Sequence, residues 1–259
     1  MLSNQAHALA EIAWDAGTVI LGHYGGTLET RRKPDSSPVT IADEEAEVLI
    51  LSRLRAHWPE IPVIAEEEVA AGHRVTAGSH FFLVDPLDGT KEFINHNGEF
   101  TVNIAEISNR EPVRGVVYAP AQGRMWIGDG VNGAVSLSVQ SETIPDLTSA
   151  TKIRARTAPS DGMIAVASRS HRDSKTDEYL AHYRIKDFIA AGSSLKFCLV
   201  AAGVADIYPR HGRTMEWDTA AGHAVLAAAG GTVTLLDGTP LVYGKPNFEN
   251  PYFVARGLS

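Results

Sequence analysis

Cysteine is nearly absent from this chain of 259 residues, since Cys198 is the only one. A single cysteine excludes an intramolecular disulfide framework and a cysteine-rich zinc site. It lies within the apolar run 197–200 (Phe-Cys-Leu-Val), which predicts a buried hydrophobic side chain rather than a nucleophile. The fold must therefore depend on a hydrophobic core, and the length suits one large domain or two small ones that share it.

Long apolar runs are also missing. No stretch approaches the roughly 18 apolar residues of a membrane span. The N-terminus has no basic segment followed by an apolar core, which a signal peptide would have. These absences predict a cytoplasmic protein without a transmembrane segment, and peripheral association with the inner membrane is compatible with them.

Basic residues are outnumbered, with 23 Lys and Arg against 31 Asp and Glu and a formal net charge of −8. This balance argues against binding to a nucleic acid polymer, because neutralising its phosphates requires basic patches. A small anionic ligand would need a local source of positive charge, and a bound metal ion is one such source.

Helices are predicted first along the chain. Apolar residues at three- and four-residue steps predict one helix that is capped by Ser3 and ends at the glycine pair 25–26. A second helix is predicted over residues 41–58, with Thr40 as its cap and acidic residues in its first turn. The polar segment 31–38 between them predicts a loop.

Strands dominate the rest of the first half, and helices and strands alternate in the second. The predicted strands of the first half cover residues 62–65, 81–84, 101–107, 113–118, 124–127 and 134–139. Those of the second half cover 163–167, 185–190, 205–208 and 232–236, with helices at 176–182, 194–202 and 219–229. This order predicts an α+β half, residues 1–140, packed closely against an α/β half, residues 141–259.

Two carboxylates three residues apart form the sharpest motif, Asp85-Pro-Leu-Asp88-Gly-Thr90. The proline and the glycine favour a bend, and a helical turn starting at Asp88 would bring both carboxylates to one point. With the Leu87 carbonyl they are the hard oxygen donors that Mg²⁺ or Mn²⁺ prefers. The amides of Gly89 and Thr90 would then begin a helix, where phosphate oxygens bind. A simple capped turn is the alternative interpretation.

Three further acidic residues stand at strand or helix ends. Glu66 follows the predicted strand 62–65, and a neighbouring strand that ends at Asp85 would place both against one metal ion. Asp218 opens an alanine-rich helix, and Asp43 lies in the first turn of the second helix. The alternatives are a solvated charge run for Glu66 and simple helix caps for Asp218 and Asp43.

Together these motifs have a family resemblance. Residues 66–67 (Glu-Glu), 85–90 and 217–222 (Trp-Asp-Thr-Ala-Ala-Gly) resemble the signature of the lithium-sensitive inositol-monophosphatase-like phosphatases in order and spacing. Within that superfamily, three segments are most similar to the bacterial CysQ-type 3′(2′),5′-bisphosphate nucleotidases. They are residues 90–94 (Thr-Lys-Glu-Phe-Ile), 97–103 (Asn-Gly-Glu-Phe-Thr-Val-Asn) and 192–198 (Gly-Ser-Ser-Leu-Lys-Phe-Cys).

The resemblance implies a fold and a metal site. The fold would be a layered α-β-α-β-α sandwich of the inositol-monophosphatase/fructose-bisphosphatase type, with two or three Mg²⁺ ions, replaceable by Mn²⁺, between its halves. Thr90 with Glu66 would activate the attacking water, and Asp43 would stand near them. Most of the implied metal ligands belong to the half 1–140, and the full set is Glu66, Asp85, the Leu87 carbonyl, Asp88 and Asp218.

The resemblance also implies an activity. The protein would be a 3′(2′),5′-bisphosphate nucleotidase that hydrolyses adenosine 3′,5′-bisphosphate to AMP and phosphate, with 3′-phosphoadenylyl sulfate as an additional candidate substrate, as in sulfur assimilation. A metal-activated water would attack directly, and Li⁺ would inhibit. Inositol monophosphatase or fructose-1,6-bisphosphatase activity is the alternative with the same metal chemistry. A non-catalytic binding module is a third interpretation, against which the complete acidic set argues.

Substrate contacts are predicted in two groups. Around the scissile phosphate they are Asp88, Gly89, Thr90 and Asp218, and for the rest of the substrate they are Ser193, Ser194, Lys196 and Arg210. Residues 193–196 begin a predicted helix, where amides and a lysine charge would receive a second phosphate, although plain helix capping with a solvated lysine is the alternative. Arg169 and His171 are further candidates, and for these two and Arg210 a surface role is equally compatible. The sequence leaves a monomer and a homodimer both open.

Overall fold

The computed structural model describes residues 1–25, 30–32, 38–140, 142–168 and 174–258. No helix in these ranges is long and apolar enough to cross a membrane. The helices there are α1 (Asn4–His23), α2 (Ile41–His57), α3 (Glu66–Ala70), α4 (Thr90–Ile94), α5 (Ser174–Leu180), α6 (Leu195–Ala201) and α7 (Glu216–Ala228).

Strands of the same ranges form three sheets. The small two-stranded sheet contains β1 (Thr30–Arg32) and β2 (Pro38–Thr40). The first large sheet contains β3 (Val63–Ala65), β4 (His80–Asp88), β5 (Thr101–Ser108), β6 (Glu111–Ala119), β7 (Arg124–Asp129), β8 (Ala134–Ser138) and β9 (Thr151–Ile153). The second contains β10 (Met163–Ser168), β11 (Ile185–Ala191), β12 (Ile207–Arg210), β13 (Thr232–Leu235) and β14 (Phe253–Arg256).

The two large sheets differ in topology. The seven-stranded sheet runs in chain order from β3 to β9, and its only parallel pair among the described strands is β3 with β4. The five-stranded sheet has the order β11-β10-β12-β14-β13. Its strand β10 is parallel to both neighbours, whereas β14 is antiparallel to both of its own. The chain therefore changes from a meander to a mixed sheet.

Helices and sheets alternate in five layers. Helices α1 and α2 pack on one face of the seven-stranded sheet, and α7 packs on the other face with α6 beside it. The five-stranded sheet lies beyond α6 and α7, and α5 packs against its outer face. This α-β-α-β-α sandwich confirms the predicted fold class.

Two glycines allow α7 to approach the seven-stranded sheet closely. A β-carbon at Gly128 would lie 2.4 Å from the carbonyl oxygen of Ala224, and one at Gly115 would lie 2.6 Å from that of Ala221. Both distances are shorter than any van der Waals contact, so a larger residue at either position would push α7 away from β6 and β7. The position of α7 matters because it carries Asp218.

The helix caps of the first half follow the sequence prediction. The hydroxyl of Ser3 accepts the N–H of Ala6 at 3.2 Å, which caps α1. At the start of α2, the carboxylate of Asp43 accepts the N–H of Thr40 at 2.8 Å and its hydroxyl at 2.6 Å. Cys198 lies in α6 and is 1% exposed, which confirms the predicted buried thiol.

Other local predictions need correction. The segment 31–38 is not a loop at its ends, because β1 pairs antiparallel with β2, and residues 33–37 lie outside the described ranges. The sequence did not predict β9 or β14, which are only three and four residues long. Strand β9 pairs with β8 in the seven-stranded sheet. The division of the chain at residue 140 stays a prediction.

Candidate active site

The ends of two parallel strands bring Glu66 and Asp85 together. In the β3–β4 pair, Ala65 lies opposite Val84, so the next residue of each strand stands at the same edge of the sheet. Asp218 comes to this edge from α7. Glu66, Asp85 and Asp218 thus form an acidic cluster, in which one carboxylate oxygen from each residue lies within 4.8 Å of the others. The expected convergence of these acids is therefore present in the structure.

The motif from Asp85 to Thr90 forms a tight bend at the end of β4. Asp85 Oδ1 accepts the N–H of Leu87 at 3.0 Å, and the pairing with β5 is interrupted between Asp85 and Asp88. Gly89 has a φ of 95°, a left-handed conformation that glycine adopts without steric cost. The predicted helical turn at Asp88 is wrong by two residues, because the strand continues through Asp88 and α4 begins at Thr90.

Asp218 is the third residue of α7, and its carboxylate also caps the start of that helix. The helix begins at Glu216, and the carboxylate of Asp218 accepts the N–H of Met215 at 2.8 Å. Asn250 holds the preceding turn, since its Nδ2 donates to the carbonyl oxygen of Met215 at 2.7 Å. The buried Glu216 accepts the N–H groups of residues 244 and 245 at 2.7 Å and 2.9 Å. Contacts with residues 244, 245 and 250 thus fix the start of α7, and they fix the position of Asp218 with it.

The electrostatics of these acids favour a bound cation. Burial raises the pKa of Asp218 well above its usual value, and the charges of Asp88 and Glu66 raise it further. Burial also raises the pKa of Asp88, although the charge of Lys196 opposes this. Carboxylates that repel one another in a desolvated cleft are stabilised by a hard divalent ion. These carboxylates are therefore a donor set that fits a metal site.

Thr90 and Asp43 form a pair beside the acidic cluster. The hydroxyl of Thr90 donates to Asp43 Oδ1 at 3.1 Å and lies 3.4 Å from the carbonyl oxygen of Leu87. The other oxygen of Asp43 caps α2 through Thr40. Asp43 is 1% exposed. The cap and the contact to Thr90 are therefore made by one side chain, so the simple helix-cap interpretation of Asp43 is incomplete.

Ser193 and Ser194 connect the second half of the chain to the site. Ser193 Oγ donates to Asp88 Oδ2 at 2.7 Å. Ser194 precedes α6 but makes no side-chain cap bond; its hydroxyl donates to Asn103 Oδ1 at 2.6 Å. Thr101 Oγ1 contacts both serine hydroxyls. These serines thus hold the two halves together at the cluster, which plain helix capping would not do.

Lys196 and Arg210 bring positive charge to the same place. Lys196 is 6% exposed, so the solvated lysine considered above is wrong. Its ammonium group donates to the carbonyl oxygen of Ser193 and lies 5.5 Å from the ring centroid of Tyr208. Burial lowers the pKa of Lys196 to about 8, against the effect of the Asp88 charge. The charge of Arg210 acts on Asp218 and Lys196. Arg169 and His171 lie outside the described residues.

Sequence reasoning missed three residues that support the cluster. Thr101 and Asn103 were recognised as part of a strand and of the family-like segment 97–103 but were given no role of their own, yet Asn103 Nδ2 also lies 3.5 Å from Asp88 Oδ2. Glu47 was one acid among several in α2, yet it is 3% exposed. A polar residue inside an otherwise apolar strand, as in Val102-Asn103-Ile104, was the available signal for Asn103.

Comparisons with known proteins agree with this geometry. The model of the inositol monophosphatase family matches residues 1–252. The protein belongs to the inositol monophosphatase family. A relative from Escherichia coli strain K12, the 3′(2′),5′-bisphosphate nucleotidase CysQ, is 43% identical over 249 residues, which cover 95% of this chain and 96% of the relative.

Solved structures of the inositol monophosphatase family have the same fold. CysQ from Bacteroides thetaiotaomicron is 36% identical, with a TM-score of 0.84 over 98% of this chain and 97% of that one. An inositol monophosphatase from Anabaena is 27% identical, with a TM-score of 0.74 over 97% and 90%. The family consists of metal-dependent phosphatases that act on small phosphorylated molecules, and the acidic cluster described above has the donor chemistry for such a metal.

Proposed function

We propose that this protein is a 3′(2′),5′-bisphosphate nucleotidase that hydrolyses adenosine 3′,5′-bisphosphate to AMP and phosphate. The observation that carries the proposal is the 43% identity with CysQ of Escherichia coli along nearly the whole of both chains. 3′-Phosphoadenylyl sulfate carries the same 3′-phosphate group and is a second candidate substrate. A cytoplasmic location, with or without peripheral binding to the inner membrane, stays a prediction, as does the choice between monomer and homodimer.

Mg²⁺ is the metal we propose, as two or three ions that Mn²⁺ can replace. The ligands would be the carboxylates of Glu66, Asp85 and Asp218, which lie together, with the carboxylate of Asp88 and the carbonyl of Leu87. All are hard oxygen donors. When bound, the ions supply positive charge that acidifies the attacking water and offsets charge on the phosphoryl oxygens. The same charge lets an acidic protein bind an anionic substrate.

The side chains of the site would then orient the water and hold the phosphate. Thr90 Oγ1 accepts a hydrogen bond from the attacking water and passes a proton toward Asp43, to which it already donates. Glu66 orients the same water. The amides of Gly89 and Thr90, at the start of α4, bind oxygens of the scissile phosphate. The water oxygen bonds to phosphorus as the bond from phosphorus to the ribose 3′-oxygen breaks, the 3′-oxygen takes a proton from solvent, and no phosphoenzyme forms.

The second phosphate of the substrate would meet the cationic side of the site. The charge of Lys196 opposes the raised pKa of Asp88, and the charge of Arg210 opposes that of Asp218. Ser193 and Ser194 add hydroxyl groups at the same edge. A bisphosphate can use both the acidic, metal-binding part and this cationic part, which explains why it would be preferred over a monophosphate.

Initial rates on three substrates test the proposal. We expect kcat/KM for adenosine 3′,5′-bisphosphate to exceed that for inositol 1-phosphate and fructose 1,6-bisphosphate by at least about tenfold, with no turnover when Mg²⁺ is withheld. A preference of similar size for either of the other two compounds would overturn the nucleotidase assignment in favour of the alternative activity.

Metal binding should release protons. Because the pKa values of Asp88 and Asp218 are raised in the metal-free protein, each carboxyl keeps its proton to a higher pH than usual. A metal ion must displace those protons, so its affinity should rise with pH until both groups are ionised. Titration calorimetry with Mg²⁺ in two buffers of different ionisation enthalpy measures the release. A binding enthalpy that is the same in both buffers would contradict the expectation.

A further inference from the structure

Glu47 lies behind the acidic cluster and makes unusual contacts. It is 3% exposed and belongs to α2. Its Oε2 accepts the N–H of Glu67 at 2.8 Å, and its Oε1 accepts the N–H of Glu68 at 2.7 Å. Both oxygens of one carboxylate are thus used on the backbone of a segment about twenty residues further along the chain.

Those two amides belong to the first turn of α3, whose first residue is Glu66. The N–H groups of a first helical turn have no partner within their own helix. The residue before α3 is Ala65, which makes no side-chain cap bond. Glu47 therefore replaces the missing local cap, and its two bonds fix the turn in which Glu66 leaves β3.

The position of Glu47 is electrostatically unfavourable, which argues that its contacts are needed. It stands next to three other acids, Glu66, Glu67 and Glu68. Burial, with the charges of Glu68 and Glu66, raises the pKa of Glu47 to about 7, although the two backbone bonds oppose this. A buried carboxylate among carboxylates costs free energy that an apolar residue of similar size would avoid.

Helix α2 connects this contact to the other side of the site. Asp43 lies one turn before Glu47, and residues four apart project from the same face of a helix. Asp43 accepts the hydroxyl of Thr90, and Glu47 accepts the amides behind Glu66. Helix α2 therefore sets the positions of both Thr90 and Glu66, the two residues that orient the attacking water in the proposed function.

We propose that Glu47 is a positioning residue, which holds the start of α3 so that the carboxylate of Glu66 meets those of Asp85 and Asp218. Its role in hydrolysis rests on the proposed function, but its effect on the metal site does not. The two can be tested separately, because binding of Mn²⁺ to the protein needs no substrate.

The test compares E47Q with E106Q in the full-length protein. Glutamine can accept only one of the two N–H groups, and its own amide group faces the other donor. Glu106 is a matched control, since it is 7% exposed and binds His80 and Arg114 through its two oxygens at 2.8 Å and 2.7 Å. It lies three residues beyond Asn103 on β5, and within the described part of the chain its side-chain partners His80 and Arg114 do not belong to the site.

We expect E47Q to weaken Mn²⁺ binding by about 10- to 100-fold in titration calorimetry, the usual effect of losing a group that orients a ligand. Hydrogen exchange at the Glu67 and Glu68 amides of the metal-free protein should become faster by a similar factor. E106Q should lower the melting temperature but change Mn²⁺ affinity by less than about twofold. If E47Q does not fold, E47D, which keeps the charge at shorter reach, replaces it with the same expectation.

Two outcomes would overturn the role of Glu47. One is a folded variant at position 47 that binds Mn²⁺ as the unmodified protein does. The other is an equal loss of affinity in E106Q, which would show that general destabilisation is responsible. Weakened Mn²⁺ binding in a protein that does not hydrolyse adenosine 3′,5′-bisphosphate would support the role of Glu47 while the proposed function fails.

Discussion

Replacement of Asp88 by Asn should lower kcat/KM for the bisphosphate nucleotide by about 10³-fold, which corresponds to roughly 4 kcal/mol of lost transition-state stabilisation. Asp88 lies between the acidic cluster and Ser193, which donates to it at 2.7 Å. The substitution removes a charged oxygen that the proposed function assigns to the metal but keeps the shape of the side chain. Steady-state rates at saturating Mg²⁺ measure the effect.

The same variant should not be less stable when the metal is absent. The pKa of Asp88 is raised by burial and by nearby carboxylates, so the folded protein favours the protonated group. The free energy of unfolding of the metal-free protein therefore falls as pH rises from the usual pKa of an aspartic acid to the raised one. Asparagine carries no charge and can still accept the hydroxyl of Ser193. We therefore expect a melting temperature for the metal-free variant at neutral pH that equals or exceeds that of the unmodified protein.

These two measurements separate a catalytic defect from unfolding. An exposed carboxylate far from the cluster, Asp161, which pairs with Lys186 at the surface, supplies the control. Its replacement by Asn should leave kcat/KM within about twofold, as surface substitutions usually do. Hydrolysis by the Asp88→Asn variant at the parental rate would exclude the proposed metal chemistry at this site.

The sequence predicted that Glu66 and Asp85 would meet because that signal was local, whereas Asp218 was assigned to the same site through the family motif. Short apolar strands that end in acids indicate side chains at one edge of a sheet, and the parallel pairing of β3 with β4 brings Glu66 beside Asp85. Most strands and helices were predictable for the same reason, since periodicity is read within a few residues, although β9 and β14 were missed and α4 begins two residues later than expected. The fold class followed from the order of elements together with the family motifs.

The supporting contacts could not be predicted because they join distant parts of the chain. Glu47 looks like one of several surface acids in α2 until α3 is placed against it. Ser193 and Asp88 are 105 positions apart. Such contacts depend on how the two sheets are layered, which no local pattern records.

Thr90 and Asp43 should behave as one unit in catalysis. Removing the hydroxyl in Thr90→Ala should lower kcat by about 10²- to 10³-fold, because the water loses the group that orients it and accepts its proton. KM should change little, since the backbone amides of Gly89 and Thr90 remain. Thr90→Ser keeps the hydroxyl and should retain kcat within about tenfold, which separates the hydroxyl from the methyl group.

Asp43→Asn completes the test. The Asp43 carboxylate caps α2 by accepting the N–H of Thr40 at 2.8 Å and its hydroxyl at 2.6 Å. The asparagine oxygen can accept both groups, so α2 should stay formed. Its amide group would then face Thr90 and donate to the hydroxyl, which reverses the bond that carries the proton. When two residues act in the same step, removing the second costs little once the first is gone. The kcat of the double variant with Thr90→Ala should therefore lie within about threefold of the kcat of the slower single variant. Losses that multiply instead would mean that Thr90 and Asp43 act independently, which would contradict proton transfer from Thr90 to Asp43.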